Sequence, residues 1–508
     1  MQVNSLELEY RWLDAAKSYE QMLDFGKESQ EVTAQYWQRI GYCYSLASRQ
    51  QEDVDSFRRL RQHSVEAYQK AANFFGLGAH EDAKGLSLHC FALAELNLSW
   101  LASSSQEKNG ILKKCQEFCE KASNAFNKVK AELSLGETYI TLATSIFNLQ
   151  SILEIPHEKR SALKEALHNT YEATAIFSRL DRVDELVYAL SLSSIMITVL
   201  KDVSIHEKWR SLTKTSLEQA NEAAELSKKT RNPYSIAISS WARTISMLEF
   251  GETGQKANSL EYPIEMLEQA TKVGDKYLAG MAYLLLANTL YNASVEEDDP
   301  TKREGYYSNI IKYSENSIKN LQVVSQFADI AIAHTYYNEA CSFSAREFAV
   351  TPFEKRATFE KGIKIGKEGM EYAKRSGSHL ALWCCNHGLS KAFYYSSGLE
   401  SKKDGRVKLL EKALAYREDA MKEAEKAFVS NVWFTGIDMV YAAQIGAELS
   451  RLEKDKEKKA MFNTALRNME KALSQCKKQF NFFRLPDGYA SVATNEEILG
   501  RMREENYF

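Results

Sequence analysis

The sequence predicts an all-α protein, a single α-solenoid of antiparallel helix hairpins with about 18 or 19 helices. Three observations lead there. Apolar residues recur at i, i+3, i+4 and i+7 along most of the 508-residue chain, the spacing of one helix face. These runs break at short polar turns near Gly78, Ala131, Asp181, Asn232, Gly274, Gln326, Gly377 and Ser430. That is a period of about 50 residues, room for two helices of roughly 20–25 residues each. Prolines number only six, and most fall at or near expected helix starts, where a missing N–H is tolerated.

Each element follows from the same pattern. Val65, Tyr68, Ala72 and Phe75 form one stripe, which Gly76 and Gly78 end as glycine does at a helix C-terminus. The next helix, His80 to Trp100, carries Leu86, Cys90, Leu93 and Leu96. Small residues (Ala67, Ala71, Ala72, Ala92, Ala94) let the two approach closely. Ala122, Phe126 and Val129 then lead into Leu135, Gly136 and Tyr139, and Tyr171, Ala175 and Phe177 into a helix from Leu186 to Leu200. Later pairs join Ala220–Leu226 to Ile236–Phe250 and Met266–Ala270 to Leu278–Tyr291. Three more join Ile318–Leu321 to Ile330–Phe343, Met370–Ala373 to Leu380–Tyr395, and Met421–Ala424 to Val432–Leu449. One solenoid domain is expected over residues 1–485. The acidic, proline-marked segment 293–304 is its candidate hinge, and 486–508 a C-terminal cap or tail.

Some of these residues resemble the tetratricopeptide-repeat (TPR) family. Trp37, Ile40, Gly41 and Tyr44 look like that family's first-helix motif, and Leu135-Gly136 with Tyr139 repeats its core. Ser64, Tyr68 and Ala71 look like the second-helix motif. The resemblance implies a TPR-like, right-handed superhelix with a peptide-binding concave groove. This chain departs from the family in its longer helices, its few signature prolines, and a period well above the family's ~34 residues. Glu66 to Leu96 is also similar to the soluble NSF attachment proteins, which share long helical hairpins.

Composition narrows the function. A net charge of −3 with mixed signs argues against nucleic-acid binding, which calls for a basic face. No apolar run approaches the ~20 residues of a membrane span, and the acidic N-terminal stretch is unlike a signal peptide, so a cytoplasmic location without membrane insertion is expected. Eight scattered cysteines suit a reducing compartment and no disulfide framework. Cys115 with Cys119, and Cys384-Cys385 with His387, read as buried thiols rather than zinc ligands, since adjacent helical residues point ~100° apart. Phosphate-loop, His-Glu-x-x-His and Gly-x-Ser-x-Gly patterns are absent, so neither catalysis nor a cofactor is expected.

One pattern stands above this background. In five helices an alanine precedes an asparagine by five residues: Ala92–Asn97, Ala143–Asn148, Ala287–Asn292, Ala333–Asn338 and Ala381–Asn386. If each alanine fills the family's small-residue packing site, the asparagines form a ladder facing the groove. Their amides would offer donors and an acceptor to an extended backbone. The alternative is that each amide bonds its own neighbouring helix. Tyr291, Tyr336, Tyr337, Arg243 and Lys391 are the aromatic and basic candidates beside the ladder. The expected function is a non-catalytic scaffold binding a protein or peptide partner. A ligand-sensing regulatory module, or an adaptor similar to the soluble NSF attachment proteins, stands as the alternative.

Overall fold

The computed structural model describes residues 2–24, 28–204, 208–250, 259–428, 432–452, 460, 462–474 and 499–504. Its elements in chain order are α1 (Gln2–Leu8), α2 (Trp12–Asp24), α3 (Gln30–Ser48), α4 (Val54–Gly76), α5 (Glu81–Leu98), α6 (Ser105–Val129), α7 (Glu132–Gln150), α8 (Pro156–Arg179), α9 (Val183–Asp202) and α10 (Trp209–Thr230). They continue as α11 (Pro233–Phe250), α12 (Glu261–Val273), α13 (Lys276–Glu296), α14 (Pro300–Val323), α15 (Phe327–Glu347), α16 (Pro352–Ser376), α17 (His379–Ser397), α18 (Lys403–Ala427) and α19 (Val432–Leu452). Residues 462–474 and 499–504 are helical as well, and no strand occurs among the described residues. Each helix packs on the next, so the fold is the expected TPR-like, all-α solenoid. Of the eight expected turns, Ser430 lies outside the described residues. The other seven all fall between helices.

Local chemistry sets the ends of the helices. Pro156, Pro233, Pro300 and Pro352 each open one. Side chains of Ser29, Asp53, Ser104, Asp275, Asp299, Thr351 and Ser378 accept from backbone N–H groups at helix starts. Among the described residues, six of the turns leading from an even-numbered helix to the next odd one carry a left-handed residue: Lys130, Asp181, Arg231, Gly274, Ser325 and Gly377, with φ between 53° and 70°. Within the repeat, a glycine near the start of an odd helix receives a bulky side chain from the helix after it. A β-carbon on Gly85 would lie 2.6 Å from the Phe126 ring, one on Gly136 2.8 Å from Phe177, and one on Gly280 2.7 Å from Leu321. Only glycine permits that approach.

The solenoid coils until its successive turns touch, and the seam combines apolar packing of Phe57, Trp100 and Leu101 on Leu278, Val324 and Tyr277 with a set of polar contacts. Gln50 Nε2 donates to the Val273 carbonyl (2.6 Å), and the Lys276 N–H donates to the Arg49 carbonyl (2.8 Å). Arg49 pairs with buried Asp275 at 2.6 Å, and Lys276 with Glu52 at 2.6 Å. Farther along, Lys108 faces Asp329, and Lys159 Nζ donates to the Lys426 carbonyl (3.1 Å) near Glu423. Trp12 Nε1 also donates to Tyr234 Oη, 3.1 Å away. Hydrogen-bonded partners across the seam stand 222 to 267 residues apart. Loops of the first superhelical turn that lead from an odd to an even helix therefore rest on even-to-odd turns of the second.

Expected features at three other places can be located. Residues 297–299, inside the candidate hinge, form the α13–α14 turn, where Asp299 caps the Thr301 N–H at 2.9 Å. Of the expected C-terminal cap, residues 486–498 and 505–508 lie outside the described residues. Leu499 and Met502 pack with Ala443 and Ala447 of α19 and with Phe462 and Met469. Helix α9 is long and apolar enough to cross a membrane by length and composition, yet 67% of that stretch is buried. It is sheltered because neighbours pack on it from both sides of the array.

Two predictions follow from this packing. Gly136→Ala forces a β-carbon onto the Phe177 ring and lowers stability by about 1–3 kcal/mol in chemical denaturation, as overpacking does. Asp275→Ala strips the partner from Arg49 and costs about 3–5 kcal/mol at the seam. Small-angle scattering then shows a larger radius of gyration, with helicity by circular dichroism unchanged.

Candidate functional site

Odd-numbered helices pack on the next odd helix along the array: α5 on α7, α9 on α11, α11 on α13, α13 on α15, and α15 on α17. Even-numbered helices stand farther apart. Odd helices therefore form the concave inner wall and even helices the outer layer, and any groove belongs to the odd set.

The five asparagines all sit on odd helices but do not share one rung. Asn97, Asn148 and Asn292 are each the seventeenth residue of their helix, counted from Glu81, Glu132 and Lys276. Asn338 and Asn386 are the twelfth and eighth, counted from Phe327 and His379. Asn97 is buried; its Oδ1 accepts from Arg61 Nη1 (2.7 Å) and its Nδ2 donates to the Leu93 carbonyl (2.8 Å). Asn292 is half-buried, with Nδ2 donating to the carbonyl and Oδ1 of Asn288. Asn338 is 1% exposed, and neither amide atom finds a partner. It is wedged among Gly362, Gly366 and Gly388, whose added β-carbons would all lie within 3.2 Å of its backbone or side chain. Half-buried Asn148 and buried Asn386 make no side-chain hydrogen bond to the protein among the described residues.

The other candidates separate likewise. Tyr337 is buried toward α14, where its hydroxyl donates to Glu315 at 2.5 Å. Arg243 turns toward α12 and lies 4.2 Å from the centroid of the Tyr262 ring. Lys391 joins the inner wall. Its Nζ donates to both Glu339 carboxylate oxygens at 3.2 Å and to Tyr291 Oη at 3.3 Å. Next to that pair, His387 Nε2 is 3.7 Å from Glu339, while its Nδ1 is 2.7 Å from Asp438. Asp438 also accepts from Trp383 Nε1 at 2.8 Å and pairs with fully buried Arg417. Lys391 is the only one of these charged residues that the expected ladder included. The others were missed, yet they leave a signal in the sequence: Glu339–Lys391 and His387–Asp438 are separated by 52 and 51 residues, one repeat.

Electrostatics hold this cluster in one charge state. Burial works to raise the Asp438 carboxyl, but Arg417 and His387 hold it down at about 2. Burial likewise opposes ionisation of Glu339, and Lys391 followed by His387 outweighs it. For His387, burial and then the Lys391 and Arg417 cations lower the imidazole to about 4, so it is neutral at pH 7. Around the cluster lies a partly exposed aromatic rim of Tyr291, Tyr336, Tyr395 and Tyr441, with the Tyr395 and Tyr441 hydroxyls 3.2 Å apart. Arg346, 45% exposed, lies over the rings of Phe343 (5.2 Å) and Tyr395 (4.9 Å). Two tyrosines on the first turn's odd helices, Tyr42 and Tyr188, are 39% and 40% exposed. Three-residue groups of metal-ligand type do not occur among the described residues.

No protein-family model matches the chain, and no curated protein matches it. Among solved structures it is similar to a Rap protein complexed with competence and sporulation factor, at 12% identity, covering 84% of this chain and 99% of that one, with a TM-score of 0.45. It is also similar to a signal transduction ATPase with numerous domains that carries a tetratricopeptide repeat sensor, from Pyrococcus horikoshii (14% identity, 96% and 74% covered, TM-score 0.35). A third similarity is to yeast Tom70 (12% identity, 100% and 95% covered, TM-score 0.33).

The neutral His387 makes stability depend on pH. Its folded value of about 4 lies below the unfolded 6.5, so the unfolded chain binds more protons between them. Stability is full above pH 6.5 and falls as pH drops toward 4, by on the order of 3 kcal/mol from this residue. Thermal unfolding at a series of pH values measures the slope, and His387→Gln flattens it.

Proposed function

We propose that this protein is a non-catalytic scaffold in the cytoplasm that holds an extended peptide segment of a partner protein against the inner wall of α13–α19. The observation that carries this reading is the juxtaposition of a partly exposed tyrosine rim and Arg346 with a buried, fully paired ionic cluster. Tyrosines bring large contact area and a hydroxyl at low conformational cost. The Glu339–Lys391 pair and the His387–Asp438–Arg417 group hold the helices beneath them in register, so little ordering is needed on binding. Of the asparagine ladder, Asn148 and Asn386 keep amides that the fold does not use. That of Asn97 is bonded by Arg61 of α4 and by its own helix, and that of Asn292 serves its own helix. Burial raises the Cys43 and Cys385 thiols to about 12, which leaves both protonated and poor as nucleophiles at neutral pH.

A peptide-display selection on the full chain tests this reading. Selected peptides bind the native protein, and combined Tyr395→Ala and Tyr441→Ala substitution weakens them at least ~10-fold, as loss of aromatic anchors does. Asn386→Ala gives a smaller loss, and circular dichroism is unchanged in both. Equal affinity for native and tyrosine-substituted protein sinks the inner-wall assignment.

A further inference from the structure

Helices α15, α17 and α19 carry five carboxylates, and each is engaged within the chain. Asp329 faces Lys108 across the seam, Glu339 holds Lys391, and Asp438 holds Arg417 and His387. Glu448 lies 2.7 Å from Arg406 and accepts from the Tyr394 hydroxyl at 2.9 Å. The fifth, Glu347, is shared by two arginines: Oε1 is 2.5 Å from Arg346 Nη2, and Oε2 is 2.9 Å from Arg303 Nε. In the adjacent α13–α14 turn, Glu297 is taken by Lys302 and the Tyr306 hydroxyl. One carboxylate thus serves two guanidinium groups, which leaves a positive charge over at this end of the wall.

Arg346 is the cation with donors to spare. Its guanidinium is 45% exposed and lies over the rings of Phe343 and Tyr395, so two aromatic faces set its plane. Within the chain only Nη2 is used; Nε and Nη1 make no hydrogen bond among the described residues. A fixed planar fork of this kind suits a carboxylate, which it can meet with two parallel bonds. The neighbouring phenols add a donor. Tyr395 and Tyr441 bond each other through their hydroxyls, and in such a pair one proton makes the bond while the other stays free. Burial pushes the Tyr395 phenol up, so it stays protonated at neutral pH.

We propose that the peptide held on this wall carries an aspartate or glutamate whose side-chain carboxylate docks on Arg346, beside the Tyr395–Tyr441 hydroxyl pair. This assignment rests on the inner-wall peptide reading and adds the sign of charge to it. A basic side chain finds no free carboxylate here, since all five are held by the chain's own cations. A neutral side chain leaves the Arg346 donors to water. Lysine is therefore rejected more strongly than an amide, because like charges would meet at the rim. Arg346→Gln leaves Glu347 paired with Arg303, so loss of the cation strands no acid within the fold.

Peptides selected on the full native chain test it. They carry an acidic residue at a common position, and changing that residue to its amide weakens binding ~10-fold, as loss of a hydrogen bond to a charged group does. Arg346→Gln weakens the acidic peptide by a similar factor and leaves the amide peptide where it was, so the two changes together cost no more than either alone. Arg346→Glu reverses the preference, and lysine at that position then binds more tightly than the acid. Circular dichroism is native in both variants. An acid-to-amide affinity ratio that is the same on Arg346→Gln as on the native chain overturns the proposal. So does a peptide that loses binding on C-terminal amidation and not on the side-chain change. In both of those cases, weakened binding to the protein carrying Tyr395→Ala with Tyr441→Ala still marks the inner wall as the peptide site. A selection that yields no binder removes both readings at once.

Discussion

Contact between successive superhelical turns is the constraint on which the shape of this protein depends. A solenoid repeat touches only its neighbours, so local packing alone leaves the coil free to open or tighten. Here Gln50, Arg49 and Lys276 tie the α3–α4 loop to the α12–α13 turn, and the pitch is set. Desolvation makes such contacts expensive. Burial raises the Asp329 carboxyl to about 6 and lowers the Lys159 amine to about 8, so each ion resists the charge its partner needs. Their value lies in register. The apolar packing of Phe57 and Trp100 on the second turn supplies contact area, and the Arg49–Asp275 and Lys276–Glu52 pairs fix which groups meet beside it.

That alignment requires each repeat to rotate by the right amount. Gly85 and Gly136 accept the rings of Phe126 and Phe177 against the helix backbone, and left-handed residues such as Lys130 and Asp181 turn the chain at matching points. Both pairs stand one repeat apart. Small errors in either device would add along the array and separate residues 222 positions apart that must meet within hydrogen-bonding distance. Regular local geometry and the distant seam are thus one requirement, expressed at two lengths.

The inner wall inherits this regularity. Helices α15, α17 and α19 bring side chains from successive repeats into contact, which is how Glu339 meets Lys391 and His387 meets Asp438. A buried ionic group in such a place tolerates few arrangements, because leaving any member unpaired is costly. The tyrosines and Arg346 above it therefore stand on a stiff base. The sheltered charges organise the wall, and the partly exposed rings are the surface a partner can reach.

Helix positions, turns and the solenoid architecture were legible in the chain because they depend on residues within one or two helical turns: apolar spacing, prolines at helix starts, glycines at helix ends. The candidate site was legible only in part. Counting from alanine to asparagine found three equivalent residues, but Ala333 and Ala381 sit earlier in their helices than Ala92, so Asn338 and Asn386 fall on other rungs. Which amides are spent also escaped the pattern, since Asn97 is claimed by Arg61 from the preceding helix. The Glu339–Lys391 pair left only its one-repeat spacing as a signal, and the seam belongs to tertiary structure alone. It arises from rotation summed over many repeats, a quantity that no short stretch of residues encodes.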